Sequence, residues 1–308
     1  MNLDPGGWFE SAIDWLLEYF GWFFDGIADV VNLIVGGVEA VLIGLHPVLV
    51  IALLVAAAAV LTRSVGLSVF TLVAFWFIVS MDLWVETMAT LGIVMVAVII
   101  AVAIGIPLGI WAALSPAVSR ILRPVLDLMQ AMPVFVYLIP AVFFFGVGTV
   151  PGIAATIVFS IPPGVRLTEL GIRQLDPELH EAATAFGARK GLILRDVQLP
   201  LAFSSIMAGV NQVIMLALSM VVVAGMVGAG GLGGVVVEGV AQLDAARGFE
   251  GGLAVVILAI YLDRVTSGAR SLSLVARNRR LKKEHQAAQA DAQAATTAPA
   301  KATTPAAA

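Results

Sequence analysis

Hydrophobic residues run in long blocks along this chain, and polar residues are confined to the intervals between them. Seven stretches are apolar enough to form helices in hydrocarbon: 41–61, 65–81, 87–114, 131–147, 150–165, 201–227 and 251–262. The seventh has only twelve residues. One helix over 131–165 would be about 52 Å long, and Gly146-Val147-Gly148-Thr149-Val150-Pro151 reads as a turn, so two spans are expected there.

Ahead of these blocks the pattern changes period. Trp8, Trp15 and Trp22 recur every seven residues, while Glu10, Asp14, Glu18, Asp25 and Asp29 fall at steps of four or seven. Each set forms a stripe along one helix. Residues 1–40 are therefore expected to form an amphipathic helix lying along the outer interface, rings at headgroup depth, as an anchor or scaffold contact. At the other end, 285–308 is rich in Ala, Gln, Thr and Pro, has little to bury, and is expected to be disordered.

Composition turns this pattern into a class. Of 308 residues, 60% are hydrophobic and 12% charged, whereas soluble domains carry roughly 25% charge. An all-α integral membrane protein is expected. The chain has no cysteine, which excludes disulfides and Cys-ligated metals. No Lys or Arg occurs in the first 62 residues, so the basic start of a cleavable signal peptide is missing and the N-terminus is expected to be retained. With the N-terminus outside and seven spans, sixteen of the seventeen basic residues fall on the inner side, and only Arg247 lies outside. Without a seventh crossing the eight basic residues of the tail would move outside, so 251–262 is expected to cross, extended by a few neighbours. The topology is N-out, C-in.

The inner loop between the fifth and sixth spans carries a short polar helix. Asp176 is an N-cap, Pro177 suits the first helical position, Glu178 and Glu181 sit where the helix dipole favours anions, and Gly187 supplies the stop. Such a helix is too short to span and too polar to be buried in lipid. It reads as a docking element.

Its residues carry a resemblance. Glu181-Ala182-Ala183, three residues, Gly187, nine residues, then Val197-Gln198-Leu199-Pro200 resembles the EAA loop of ABC-importer permeases, usual form E-A-A-x3-G-x9-I-x-L-P, with Val197 in place of Ile. Between about Thr87 and Arg280 further segments are similar to the permeases for glycine betaine, proline betaine and related quaternary amines. These are Met129–Pro140, Ile161–Thr168, Ala208–Gln212, Leu216–Val222, Gly230-Gly231-Leu232-Gly233 and Leu262-Asp263-Arg264.

The resemblance implies a type I ABC-importer transmembrane fold. It also implies a homodimer in the bacterial inner membrane, two cytoplasmic ATPase subunits that bind ATP and Mg, and an extracytoplasmic binding protein. Glu178, Glu181, Ala182, Ala183, Phe186, Gly187, Leu199 and Pro200 would couple the permease to the ATPase. The implied organisation is an interfacial helix over 1–40, two peripheral spans over 41–86, a five-helix core over 87–265 with the coupling loop at 176–200, and a basic tail over 266–308.

The remaining residues limit the chemistry. No G-x-x-x-x-G-K-[ST] sequence occurs, and 228–234 lacks the Lys and hydroxyl that hold phosphate and Mg²⁺. Those glycines read as close packing and a helix break. ATP is used in trans, with no cofactor, enzymatic chemistry or nucleic-acid partner expected of this chain. His46 and His180 have no second ligand nearby in the sequence, which argues against a metal. Ionisable residues are nearly absent from the spans, which argues against an ion-driven carrier. Gln130, Asn211, Gln212 and Ser219 bring uncharged polar groups into hydrocarbon, where they either bond between helices or line a pathway. Phe135 and Tyr137 offer aromatic faces to a quaternary ammonium. Two alternatives stay open: an ABC permease for another small amine or amino acid, and a stand-alone osmotically gated channel.

Overall fold

The computed structural model describes residues 4–268, without the side chains of Pro5 and His180. The basic tail expected over 266–308 therefore lies almost entirely outside the described residues. Among the described residues all regular structure is helical. We number the helices α1 Pro5–Gly44, α2 Pro47–Thr62, α3 Val65–Ser80, α4 Trp84–Leu114, α5 Pro116–Ala131, α6 Val134–Phe145, α7 Thr149–Arg173, α8 Pro177–Ala185, α9 Lys190–Val227, α10 Gly231–Ala241 and α11 Ala245–Gly268.

Five of these, α1, α4, α7, α9 and α11, are long and apolar enough to cross a membrane, or six if α5 and α6 form one bent span. That differs from the seven expected spans. The first two blocks fold as α2 and α3, sixteen residues each, and 41–44 belongs to α1. The fourth block is divided. Met132 precedes Pro133, whose ring disfavours helical backbone at the residue before it. Met132 is accordingly extended, at φ −72° and ψ 136°, and α6 leaves α5 at 99°. Only twelve residues of that block continue as α6.

Other blocks are longer than read. α7 runs through Pro162 and Pro163 and continues eight residues past Val165 to Arg173. α11 extends the twelve-residue block at both ends to 24 residues. α9 starts before the apolar block with a π-helical turn over Ile193–Gln198, in which the Leu199 amide bonds to the Leu194 carbonyl. The wide turn falls just before Pro200, which has no N–H to donate into the ladder.

The centre of the molecule is a stack in which α7 lies between α4 and α9. Small residues set its spacing, as expected where helices gain nothing from expelling water and depend on close packing. A Cβ added to Gly109 would stand 2.6 Å from both the Thr168 Cβ and the Val165 carbonyl, and one added to Gly171 would stand 2.6 Å from the Ser205 Cβ. Beyond α9 the chain breaks at the run of glycines over 228–234, as their close spacing predicts. Gly228, Gly230 and Gly231 all have positive φ, and the Leu232 amide opening α10 donates to Thr90 Oγ1 of α4 at 2.8 Å.

The peripheral helices attach at separate places. α1 lays Phe24 on Phe144, the rings stacked 4.5 Å apart, and buries Val31 and Val35 in the common core. Its tryptophans Trp8, Trp15 and Trp22 remain exposed. The α2–α3 hairpin is held by α11: the Tyr261 hydroxyl donates to the Leu54 carbonyl at 3.2 Å, and its ring meets Phe75 edge-on at 5.3 Å.

Candidate docking helix and polar positions of the bundle

α8 begins where Asp176 accepts the Glu178 amide at 3.0 Å. It ends in a two-bond closure, with the Gly187 amide on the Thr184 carbonyl at 2.9 Å and the Ala188 amide on the Ala183 carbonyl at 3.1 Å. That pair of bonds requires left-handed backbone at the intervening residue, and Gly187 has φ 78°. Space is not the constraint, since nothing lies within 4 Å of a Cβ added there.

The helix buries none of its described side chains. Glu178, Glu181 and Ala182 are exposed and Ala183 is half-buried. Phe186, at the end of α8, is 93% exposed, with Leu179 and Leu192 also exposed nearby in sequence. Beneath α8 lies a cavity of about 350 Å³ walled by the ends of α4 and α7 and the start of α9, with Ile193 and Val197 among its lining. Leu199 and Pro200, half-buried, open the α-helical part of α9. The sequence-predicted coupling residues thus occupy α8, the turn that closes it, and the first two residues of the α-helical part of α9.

The polar positions in the bundle do not gather in one place. Asn211 joins α9 to α11: its Nδ2 donates to Asp263 Oδ1 at 2.9 Å and its Oδ1 accepts from the Thr266 hydroxyl at 2.8 Å. Gln212 and Ser219 lie on the exposed side of α9, and the Ser219 hydroxyl donates to its own helix at the Met215 carbonyl. Tyr137 is buried, its ring edge-on to Phe159 at 5.7 Å and its hydroxyl donating to the Met129 carbonyl across the α5–α6 bend. Phe135 and Gln130 are exposed on either side of that bend. His46 caps α2, with Nδ1 accepting from the Val48 amide at 3.4 Å.

One polar cluster escaped the reading of the sequence. Glu169 of α7 is only 5% exposed and is bonded by Ser119 Oγ at 2.7 Å, Arg123 Nη2 at 3.1 Å and Arg173 Nε at 2.9 Å. Its signal was two (i, i+4) pairs, Ser119 with Arg123 and Glu169 with Arg173, which only a longer α7 brings together. In sequence Asp263 stands out only within Leu262-Asp263-Arg264; its partner Asn211 lies 52 residues away.

Residues 105–270 match the family of binding-protein-dependent transport system inner membrane components, and the chain belongs to that family. It is a membrane transport component rather than an enzyme. Among curated proteins it is 47% identical over 261 residues to the glycine betaine transport system permease protein OpuAB of Bacillus subtilis, covering 85% of this chain and 92% of that one. It is 45% identical over 273 residues to the glycine betaine/proline betaine transport system permease protein ProW of Escherichia coli, covering 89% of this chain and 77% of that one. Among solved structures, a chain of the inward-facing MetNI methionine ABC transporter is similar in fold, with TM-score 0.56 and 21% identity, covering 59% of this chain and 92% of that one.

Proposed function

We propose that this chain is the permease subunit of an ATP-driven importer of glycine betaine and proline betaine type compatible solutes. It works as a homodimer in the bacterial inner membrane, with two ATPase subunits at α8 and an extracytoplasmic binding protein on the opposite face. The observation that carries this reading is α8, a capped and closed helix that buries none of its described side chains and ends in an almost fully exposed Phe186. A helix finished at both ends that buries none of its described side chains is suited to a seat on another protein. The names of the relatives support the substrate class.

In this mechanism the ATPase binds and hydrolyses ATP with Mg, and the two α8 helices move as rigid bodies. The glycine-spaced stack of α4, α7 and α9 reorients and opens the path to alternate sides. Gln212 and Ser219, exposed on α9 of the single chain, would face the second copy or the path between copies, because hydrocarbon does not accommodate an unpaired amide. The amphipathic part of α1 is the outer scaffold, α2 and α3 are peripheral, and the core is α4 to α11.

The experiment is uptake in proteoliposomes with the cognate ATPase and binding protein. Labelled glycine betaine should be taken up with ATP, and unlabelled proline betaine should compete. Phe186→Ala should release the ATPase from the purified complex without changing the melting temperature of the permease. Competition by an unrelated amino acid alone would reject the substrate class, and flux without ATP would reject the importer.

A further inference from the structure

We propose that Glu169 is a positioning residue for coupling: it ties α5 to α7, so that a displacement of α8 is passed to the bend between α5 and α6. This inference rests on the permease reading above. α7 ends at Arg173 and α8 begins at Pro177, so three residues separate them and a movement of α8 pulls first on the end of α7. Glu169 lies one helical turn before that end.

Its carboxylate divides its bonds between two bodies. Arg173, one turn further along α7, binds it through Nε and places Nη2 on the Ala112 carbonyl of α4 at 2.7 Å. The remaining two donors, Ser119 and Arg123, both belong to α5. A buried carboxylate without donors is strongly unfavourable, so it keeps its partners during movement. A second bridge lies alongside, where Arg166 of α7 pairs with Asp127 of α5. α5 and α7 are thereby fastened by charged groups on both sides of an open groove lined by Leu167 and Leu170.

What α5 then moves is the bend. α5 carries Arg120, Arg123, Asp127 and Gln130 on one exposed side and Ile121, Val125 and Leu128 on another, with Ser119 and Leu126 buried between them. This is the pattern of a helix lying along an interface. It meets α6 at 99°, and the buried Tyr137 fastens the two across the bend through the Met129 carbonyl. Ser119 and Arg123 therefore sit where a pull from α7 becomes a rotation of α5, and with it of α6.

The discriminating variant strips only the α5 side of the link. Ser119→Ala with Arg123→Gln removes both bonds from α5 to Glu169 and leaves the Arg173 pair intact. In the reconstituted importer, substrate moved per ATP hydrolysed should fall at least about fivefold, the lower end of ordinary coupling between sites, while ATP hydrolysis stays near wild type. Arg123→Gln alone, at a side chain 62% exposed, serves if the double variant does not assemble.

A second readout is independent of transport. Spin labels on Ile121→Cys and Leu170→Cys, both exposed positions in a chain that has no other cysteine, should hold one distance in resting and nucleotide-trapped complexes. In the double variant that distance should change on trapping. Unchanged transport per ATP, or identical distance distributions in both backgrounds, would overturn the role of Glu169. A wild-type complex that fails to import with ATP would instead reject the permease reading itself.

Discussion

Asn211 shows how one side chain can hold two helices through opposite ends of its amide. The Nδ2 group donates to a carboxylate and the Oδ1 accepts from a hydroxyl, so one residue of α9 engages two side chains of α11, the Thr266 hydroxyl also reaching the Leu262 carbonyl of its own helix. Asn211→Ala removes both at once and leaves Asp263 without that donor in a half-buried position. The expected cost is about 1–3 kcal/mol. Thermal unfolding of the detergent-purified chain should report a lower midpoint, and an unchanged one would mean that water replaces the amide fully. The sequence marked Asn211 as polar in an apolar block but left its use open. Nothing local could decide it, since Asp263 and Thr266 come from a different helix.

At the scale of an element, glycines separate two uses that look alike in sequence. Gly105 and Gly109 are one turn apart on α4. An added Cβ at Gly105 meets ordinary contacts of 3.5 Å or more, whereas at Gly109 it would collide at 2.6 Å with the Thr168 Cβ and the Val165 carbonyl. Gly105→Ala should therefore be neutral or stabilising by up to about 1 kcal/mol, the helix-propensity difference. Gly109→Ala should cost about 1–3 kcal/mol by forcing α4 from α7. Melting temperatures of the two variants decide this, and equal shifts would sink the distinction.

Element boundaries were the least legible part of this chain for a related reason. The apolar blocks announce that helices exist, but helices continue beyond the blocks where charged ends find partners. α7 runs on to Arg173 because Glu169 and Arg173 are bonded within the bundle. The 99° turn at Pro133 shows the reverse: the proline is visible in sequence, and the angle is set by packing such as Tyr137 on Phe159. α8 was legible throughout, since its cap, dipole charges and stop are all local.

For the whole molecule, the distribution of charge makes a claim about sidedness that the cysteine-free chain is well suited to test. A single cysteine at Leu243, exposed between α10 and α11, should react with a membrane-impermeant maleimide on intact cells. One at Leu192, exposed beside α8, should react only after permeabilisation. The opposite pattern would overturn the N-out, C-in orientation expected from the charges and put α8 out of reach of any cytoplasmic ATPase.

The attachment of α2 and α3 through α11 also carries a consequence for biogenesis. Tyr261 reaches back 207 residues to the Leu54 carbonyl, so the hairpin it holds is synthesised long before its fastener exists. At about 5–20 residues per second, the ribosome needs on the order of ten to forty seconds to cover that distance. Throughout that interval the early hairpin must wait in the bilayer with Phe75 and its neighbours facing lipid or insertion machinery, and it is fastened only when α11 arrives.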